Sequence, residues 1–128
     1  MQPRRLTLIP LDGLFAVAKL PPDAVIPSWA SGSPFFSITR TADELSIVCG
    51  EGQVPAGVQR EPGWRCLRIA GKMEFSVVGV LASLVGPLAE AGISVFAMST
   101  FDTDYLLVKD SEWGRARGVL GEAGHVLS

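Results

Sequence analysis

The sequence predicts an α+β fold of two ferredoxin-like (βαββαβ) halves packed together, the first half degenerate. Three observations predict it. Residues 64–128 read in the order strand, helix, strand, strand, helix, strand, which is the ferredoxin-like unit. A strand-turn-strand segment of the first half sets without gaps beneath one in the second, Phe36 under Phe96, at an offset of 60. With 128 residues, two independent half-length domains would each be marginal, whereas two halves sharing a core would not. The division expected is 1–63 and 64–128.

The second half gives the clearest periodicities. Trp64 to Ala70 mixes aromatic, β-branched and polar residues, as strands do. Gly71 to Ser76 is a loop, and the Ser76 hydroxyl is placed to cap the helix that follows. Val77, Leu81, Leu84 and Leu88 recur on one helical face. Pro87 removes one helical hydrogen bond, and Gly92 is a helix stop. Strands follow at Ile93–Thr100 and Asp104–Lys109 around a turn at Phe101–Thr103. Asp110 or Ser111 is the expected cap of a second helix, with Trp113, Ala116, Leu120 and Ala123 on its apolar face and Gly124 at its end. His125 to Leu127 is a short last strand.

The first half is less regular. Leu14–Lys19 reads as a strand that Pro21-Pro22 breaks. Ala24–Ala30 is a short helix limited by Pro27. Phe35–Arg40 and Leu45–Cys49 form a hairpin, and Gly50 to Gly63 holds no full helix. In the offset alignment Val48 falls on Val108, Thr39 on Ser99, Glu44 on Asp104 and Ile47 on Leu107. Duplication explains this, and so does the alternation that all hairpins share.

Composition excludes several classes. Hydrophobic residues make up 48% and charged residues 19%, too apolar for a disordered chain. The formal net charge is −2, and the basic residues are scattered (Arg4-Arg5, Arg115, Arg117), so no row of phosphates is neutralised and no nucleic-acid partner is expected. Cys49 and Cys66 belong to no C-x-x-C and His125 stands alone, so neither a metal nor a cofactor is expected, and the cysteines are expected as half-buried reduced thiols. Residues 77–98 carry one charge and are long enough to cross a bilayer. Their period switches at Gly92, however, which marks a packed helix followed by a strand, and no membrane partner is expected. The short apolar stretch after Arg5 is interrupted at Asp12, so no secretory leader is expected and the localisation expected is cytoplasmic.

Gly79-Val80-Leu81-Ala82, followed by Leu88-Ala89-Glu90-Ala91-Gly92-Ile93-Ser94-Val95, resembles the "GxLA … LAEAGI-x-V" pattern of ACT domains, regulatory modules that commonly bind amino acids. Phe96 to Lys109, with Ser99-Thr100-Phe101-Asp102-Thr103-Asp104-Tyr105 at its centre, is similar to the "STYDTDYILVK" signature of small tandem-ACT proteins and of the ACT modules of cytosolic arginine sensors. The resemblance covers Trp64–Ser128. The first half resembles the family's degenerate leading unit. The aspartate often found before the glycine has no counterpart here; the nearby acid is Glu74.

A free amino acid requires N–H donors for its carboxylate and acceptors for its ammonium. Open backbone N–H groups at Ser76, Val77 and Gly79, with the positive end of a helix dipole behind them, meet the first need. Gly79 either admits a ligand or permits helix-strand packing. Ser99, Thr100, the backbone near Phe101, and Asp104 meet the second need. The competing reading of this segment is a polar hairpin turn, and the resemblance favours the ligand pocket. Asp102 either faces the ligand or is a solvated turn residue. Lys72 and Glu74 either select the ligand side chain, acidic or basic respectively, or are surface charges.

The expected function is therefore a non-catalytic regulatory sensor for a free amino acid, acting as a homodimer or through an unknown regulated protein partner. The alternative is an interaction or scaffolding module with a vestigial pocket. No nucleophile–base pair, P-loop or metal cluster supports an enzyme.

Overall fold

Eight strands and two α-helices form within residues 5–71 and 79–128, which a computed structural model describes. The strands are β1 (Thr7–Pro10), β2 (Phe15–Leu20), β3 (Ser37–Arg40), β4 (Leu45–Gly50), β5 (Gln59–Ile69), β6 (Val95–Ser99), β7 (Asp104–Lys109) and β8 (Val126–Leu127). The helices are α1 (Val80–Glu90) and α2 (Trp113–Glu122). The chain divides into two compact units. One joins the described residues of Met1–Asp12 and Arg65–Ser128, and the other is Gly13–Trp64. The long strand β5 gives its last residues to the larger unit and its first to the smaller.

In the larger unit the strands lie in the order β8-β1-β5-β7-β6. β1 runs antiparallel to β5, with Leu8 opposite Ile69, and parallel to β8, with Thr7 opposite Val126. The periodicity above assigns no strand to Thr7–Pro10, because four residues ending in proline carry too little pattern. Pairing on both sides makes it a strand, and Leu8 is fully buried there. Leu67, Ile69, Leu106 and Val108 on the sheet pack against Val80, Leu84 and Leu88 of α1 and Ala116 and Leu120 of α2. The buried face of α1 thus runs Val80, Leu84, Leu88 in steps of four. Leu81, expected on that face, is only half-buried, and Val77 lies outside the described residues.

Both helices end on glycines in the left-handed conformation, Gly92 (φ 75°) and Gly124 (φ 98°). The next N–H turns back in each case, from Ile93 to the Leu88 carbonyl at 2.9 Å and from His125 to the Leu120 carbonyl at 3.0 Å. The expected cap at Asp110 or Ser111 does not form. Those residues make a 3-10 turn, Asp110–Glu112, and α2 starts after it without a side-chain cap. The Asp110 carboxylate is engaged instead by Arg65 Nε at 2.7 Å.

The smaller unit has the strand order β3-β4-β2-β5 and no α-helix. The helix expected at Ala24–Ala30 is reduced to a 3-10 turn at Ser28–Ser31, directly after Pro27. That turn and the loop before it cover Ala16, Ala18, Leu45, Ile47 and Cys49 with Ala24, Trp29 and Ala30. Arg40 holds the loop in place: its guanidinium donates to the Pro22 carbonyl and, at 2.7 Å, to the Ala24 carbonyl. Both cysteines are free and fully buried, rather than half-buried as expected.

The two hairpins repeat at an offset of 59, one less than the sequence alignment suggests. Ile38 pairs with Ile47 and Thr39 with Ser46 in one; Ala97 pairs with Leu106 and Met98 with Tyr105 in the other. The four-residue turns 41–44 and 100–103 therefore correspond, closed by Thr41 N–H to Glu44 C=O at 2.9 Å and Thr100 N–H to Thr103 C=O at 2.8 Å. Core residues obey the same offset, with Ile47 and Cys49 matching Leu106 and Val108. A slip of one residue would turn every side chain to the wrong face. No helix among the described residues is long and apolar enough to cross a membrane.

Candidate functional site

Of the predicted residues, Ser99, Thr100, Phe101, Asp102 and Asp104 fall at the β6–β7 hairpin end and Gly79 at the start of α1, both in the larger unit. Ser99 and Asp104 are directly paired across the hairpin. The Ser99 hydroxyl donates to Asp104 Oδ1 at 2.5 Å, the short range of a charge-assisted bond. This fixes one carboxylate oxygen and orients the other. Thr100 turns inward on the loop: its hydroxyl lies 3.1 Å from the Thr103 carbonyl and 3.4 Å from the Thr103 N–H. Phe101 is 78% exposed, and Asp102 beside it is also exposed.

Thr103 was not singled out in the sequence, yet it anchors the hairpin end. It is buried, and its hydroxyl donates to the Ile69 carbonyl at 2.9 Å. The bond reaches a residue 34 positions away, so no local pattern announces it. It ties the hairpin end to the last residue of β5, from which the chain proceeds toward α1. The signal that marks it is burial of a hydroxyl beside a carbonyl, which the sequence does not carry.

Gly79 immediately precedes α1 with φ 80° and ψ 1°, so the helix begins at Val80 with Gly79 before it, rather than at Val77 with Ser76 as its cap as the sequence suggests. A Cβ built there meets no heavy atom within 4 Å, so the positive φ rather than crowding selects glycine at this position. Its carbonyl accepts the Ser83 N–H at 3.0 Å, which opens the helix. Lys72, Glu74, Ser76 and Val77 lie outside the described residues.

Among the described residues no group of three or more His, Cys, Asp or Glu side chains is placed to hold a metal ion. A groove of about 210 Å³ lies on the smaller unit, lined by Val17, Lys19, Glu44, Ser46, Gln59 and Glu61 among others, and no predicted site residue lines it. Arg60 at its edge is engaged by the Val54 and Val58 carbonyls at 2.9 and 3.1 Å.

Comparison with known proteins places this geometry in a family. The ACT domain family model matches residues 59–122, the stretch holding β5, α1, the β6–β7 hairpin and α2. The chain belongs to the ACT domain family. A second family model, for an N-terminal domain, matches residues 13–57. A mouse relative, the cytosolic arginine sensor for mTORC1 subunit 1, is 33% identical over 118 residues, covering 81% of this chain and 34% of the relative. This chain therefore spans about a third of that relative's length. The X-ray structure of an Agobacterium tumefaciens protein is 42% identical, covers 98% of this chain and 93% of that one, and superposes with a TM-score of 0.93. The regulatory subunit of aspartate kinase from Thermus flavus shares the fold at a TM-score of 0.64 and 10% identity, covering 94% of this chain and 99% of that one. Its likeness speaks to the fold alone.

Proposed function

We propose that this ACT chain is a non-catalytic, cytoplasmic regulatory sensor that binds a free amino acid between the β6–β7 hairpin end and the start of α1. The reading takes the chain as two ACT-type halves, 1–63 and 64–128, that act as a homodimer or on a regulated partner. L-arginine is the first ligand to test, because the mouse relative is named for sensing it.

The observation that carries this reading is the Ser99–Asp104 pair. A carboxylate already oriented by a hydroxyl at 2.5 Å presents its second oxygen to an ammonium or guanidinium group at little further ordering cost. On this reading the ligand carboxylate is taken at the start of α1 by the Gly79 N–H together with those of Ser76 and Val77, which precede it in sequence. Thr100 and the Phe101 backbone complete the ammonium side, and Lys72, Glu74 and Asp102 choose the side chain. The second reading, an interaction module with a vestigial pocket, draws support from Thr100, whose hydroxyl is spent within its own turn.

A thermal-shift screen of the full chain against the twenty amino acids at millimolar concentration separates the two. A ligand at a hundredfold excess over its Kd adds about 2.7 kcal/mol of stability. A shift with L-arginine or another amino acid, abolished by Asp104→Ala, supports the sensor. Twenty flat traces sink it and leave the interaction module.

A further inference from the structure

Pro87 stands inside α1. It has no N–H, so the Ser83 carbonyl four residues earlier lacks its helical donor. His125 supplies the missing bond: its Nε2 lies 2.9 Å from the Ser83 oxygen. The other ring nitrogen, Nδ1, lies 3.1 Å from the Leu6 backbone nitrogen. A backbone N–H only donates, so Nδ1 accepts and the ring proton sits on Nε2, directed at Ser83. His125 is buried, 4% exposed, and its backbone is pinned by the turn at Gly124 that sends the His125 N–H to Leu120. One side chain thus makes a bond that the helix lost and a bond that the start of β1 needs.

The connection extends at both ends. The Ser83 N–H donates to the Gly79 carbonyl at 3.0 Å, so Ser83 joins the imidazole to the first turn of α1. The Leu6 carbonyl accepts the Val126 N–H at 2.9 Å, so Leu6 joins the imidazole to β8. β8 is an edge strand whose one partner among the described strands is β1.

We propose that His125 is a positioning residue that couples the Gly79 start of α1 to the β1–β8 edge of the sheet, replacing the hydrogen bond that Pro87 removes from Ser83. Under the amino-acid reading above, on which this second step rests, occupancy at the start of α1 reaches the sheet edge through this imidazole. A purely apolar residue at 125 fills the space and breaks the coupling. Glutamine, with one donor and one acceptor group, preserves part of it.

The test uses the full chain and begins without ligand. Nitrogen-15 spectra of the histidine ring are expected to show the neutral form protonated at Nε2; the Nδ1–H form overturns the proposal. His125→Leu is expected to speed amide exchange at Leu6 and Val126 by about tenfold or more, the loss of a buried hydrogen bond, with His125→Gln intermediate and available if the leucine variant fails to fold. Pro87→Ala returns an N–H to Ser83, so the fall in Tm on His125→Leu is expected to shrink in that background. Equal falls in both backgrounds, or unchanged exchange at Leu6, overturn the joint. L-arginine is then added: slower exchange at Val126 in the parent chain, absent in a His125→Leu variant that still binds, supports the transmission step. Binding without any change at Val126 overturns that step. If the parent chain does not bind L-arginine, the amino-acid reading with this ligand fails, while the ligand-free measurements still decide the joint.

Discussion

The hairpins β3–β4 and β6–β7 share one backbone plan and end in opposite chemistry. At the structural offset of 59, Thr41 stands where Thr100 does, and both turn their hydroxyls onto their own loop. Beyond the turn the two diverge. Arg40 and Leu45 occupy the positions of Ser99 and Asp104. Arg40 clamps a loop and Leu45 is fully buried, whereas Ser99 and Asp104 bond each other at the surface. The smaller unit has no helix to cover its core, so its hairpin end is committed to holding a loop over the sheet. In the larger unit α1 and α2 cover the core, and Ser99 and Asp104 lie outside it. On the proposed reading, the binding position is one that packing does not need.

The largest expected effect tests that division at its centre. Leu45→Ala removes a fully buried side chain from the smaller unit and is expected to cost about 2–5 kcal/mol, seen as a fall in the urea midpoint. The corresponding change in the larger unit, Asp104→Leu, is expected to alter unliganded stability by no more than about 1 kcal/mol, because its partner is an exposed hydroxyl. Similar losses at both positions would erase the contrast, and Asp104 would become a structural residue.

Much of this architecture was legible because its signals are local. The strand-turn-strand of residues 93–109, the two helices ending at glycines and the irregular first half all follow from periodicity and punctuation within windows of a few residues. Three features were not, and each depends on a partner distant in sequence. β1 exists through its pairing with β5 and β8. The hairpin offset is settled by which threonine closes each turn, since alternation alone fits a neighbouring register nearly as well. Asp110 could have capped α2, but Arg65 on β5 holds its carboxylate. The polar hairpin stood out by composition and family pattern; Thr103 and His125 did not, because their partners are 34 and 42 residues away.

A smaller effect is expected at Thr103, the position that corresponds to Glu44. Thr103→Val keeps the shape and removes the donor to the Ile69 carbonyl, an expected loss of about 1–2 kcal/mol for a buried hydrogen bond. Glu44 is only half-buried, so Glu44→Val is expected to cost less than Thr103→Val, within about 1 kcal/mol. Paired thermal melts measure the difference. If Thr103→Val also matches the parent chain, the anchoring of the hairpin end to β5 is dispensable.

The smallest expected effect at neutral pH comes from the two thiols, one in each unit. Burial pushes the Cys66 thiol up to about 12. Burial raises Cys49 as well, against an opposing pull from the Arg60 guanidinium. A thiol whose folded value lies above its unfolded value keeps its proton in the native state after the unfolded chain has lost it. Its contribution is therefore fully present below the unfolded value, about 8.5, and is lost progressively as pH rises toward the folded one. Unfolding free energies are expected to be flat with respect to the thiols up to about pH 8 and to fall between roughly pH 9 and 12. Cys66→Ala should flatten that alkaline decline more than Cys49→Ala does, because burial alone raises Cys66 among the described residues, whereas Arg60 opposes it at Cys49. An undiminished decline in Cys66→Ala would mean that another group carries it.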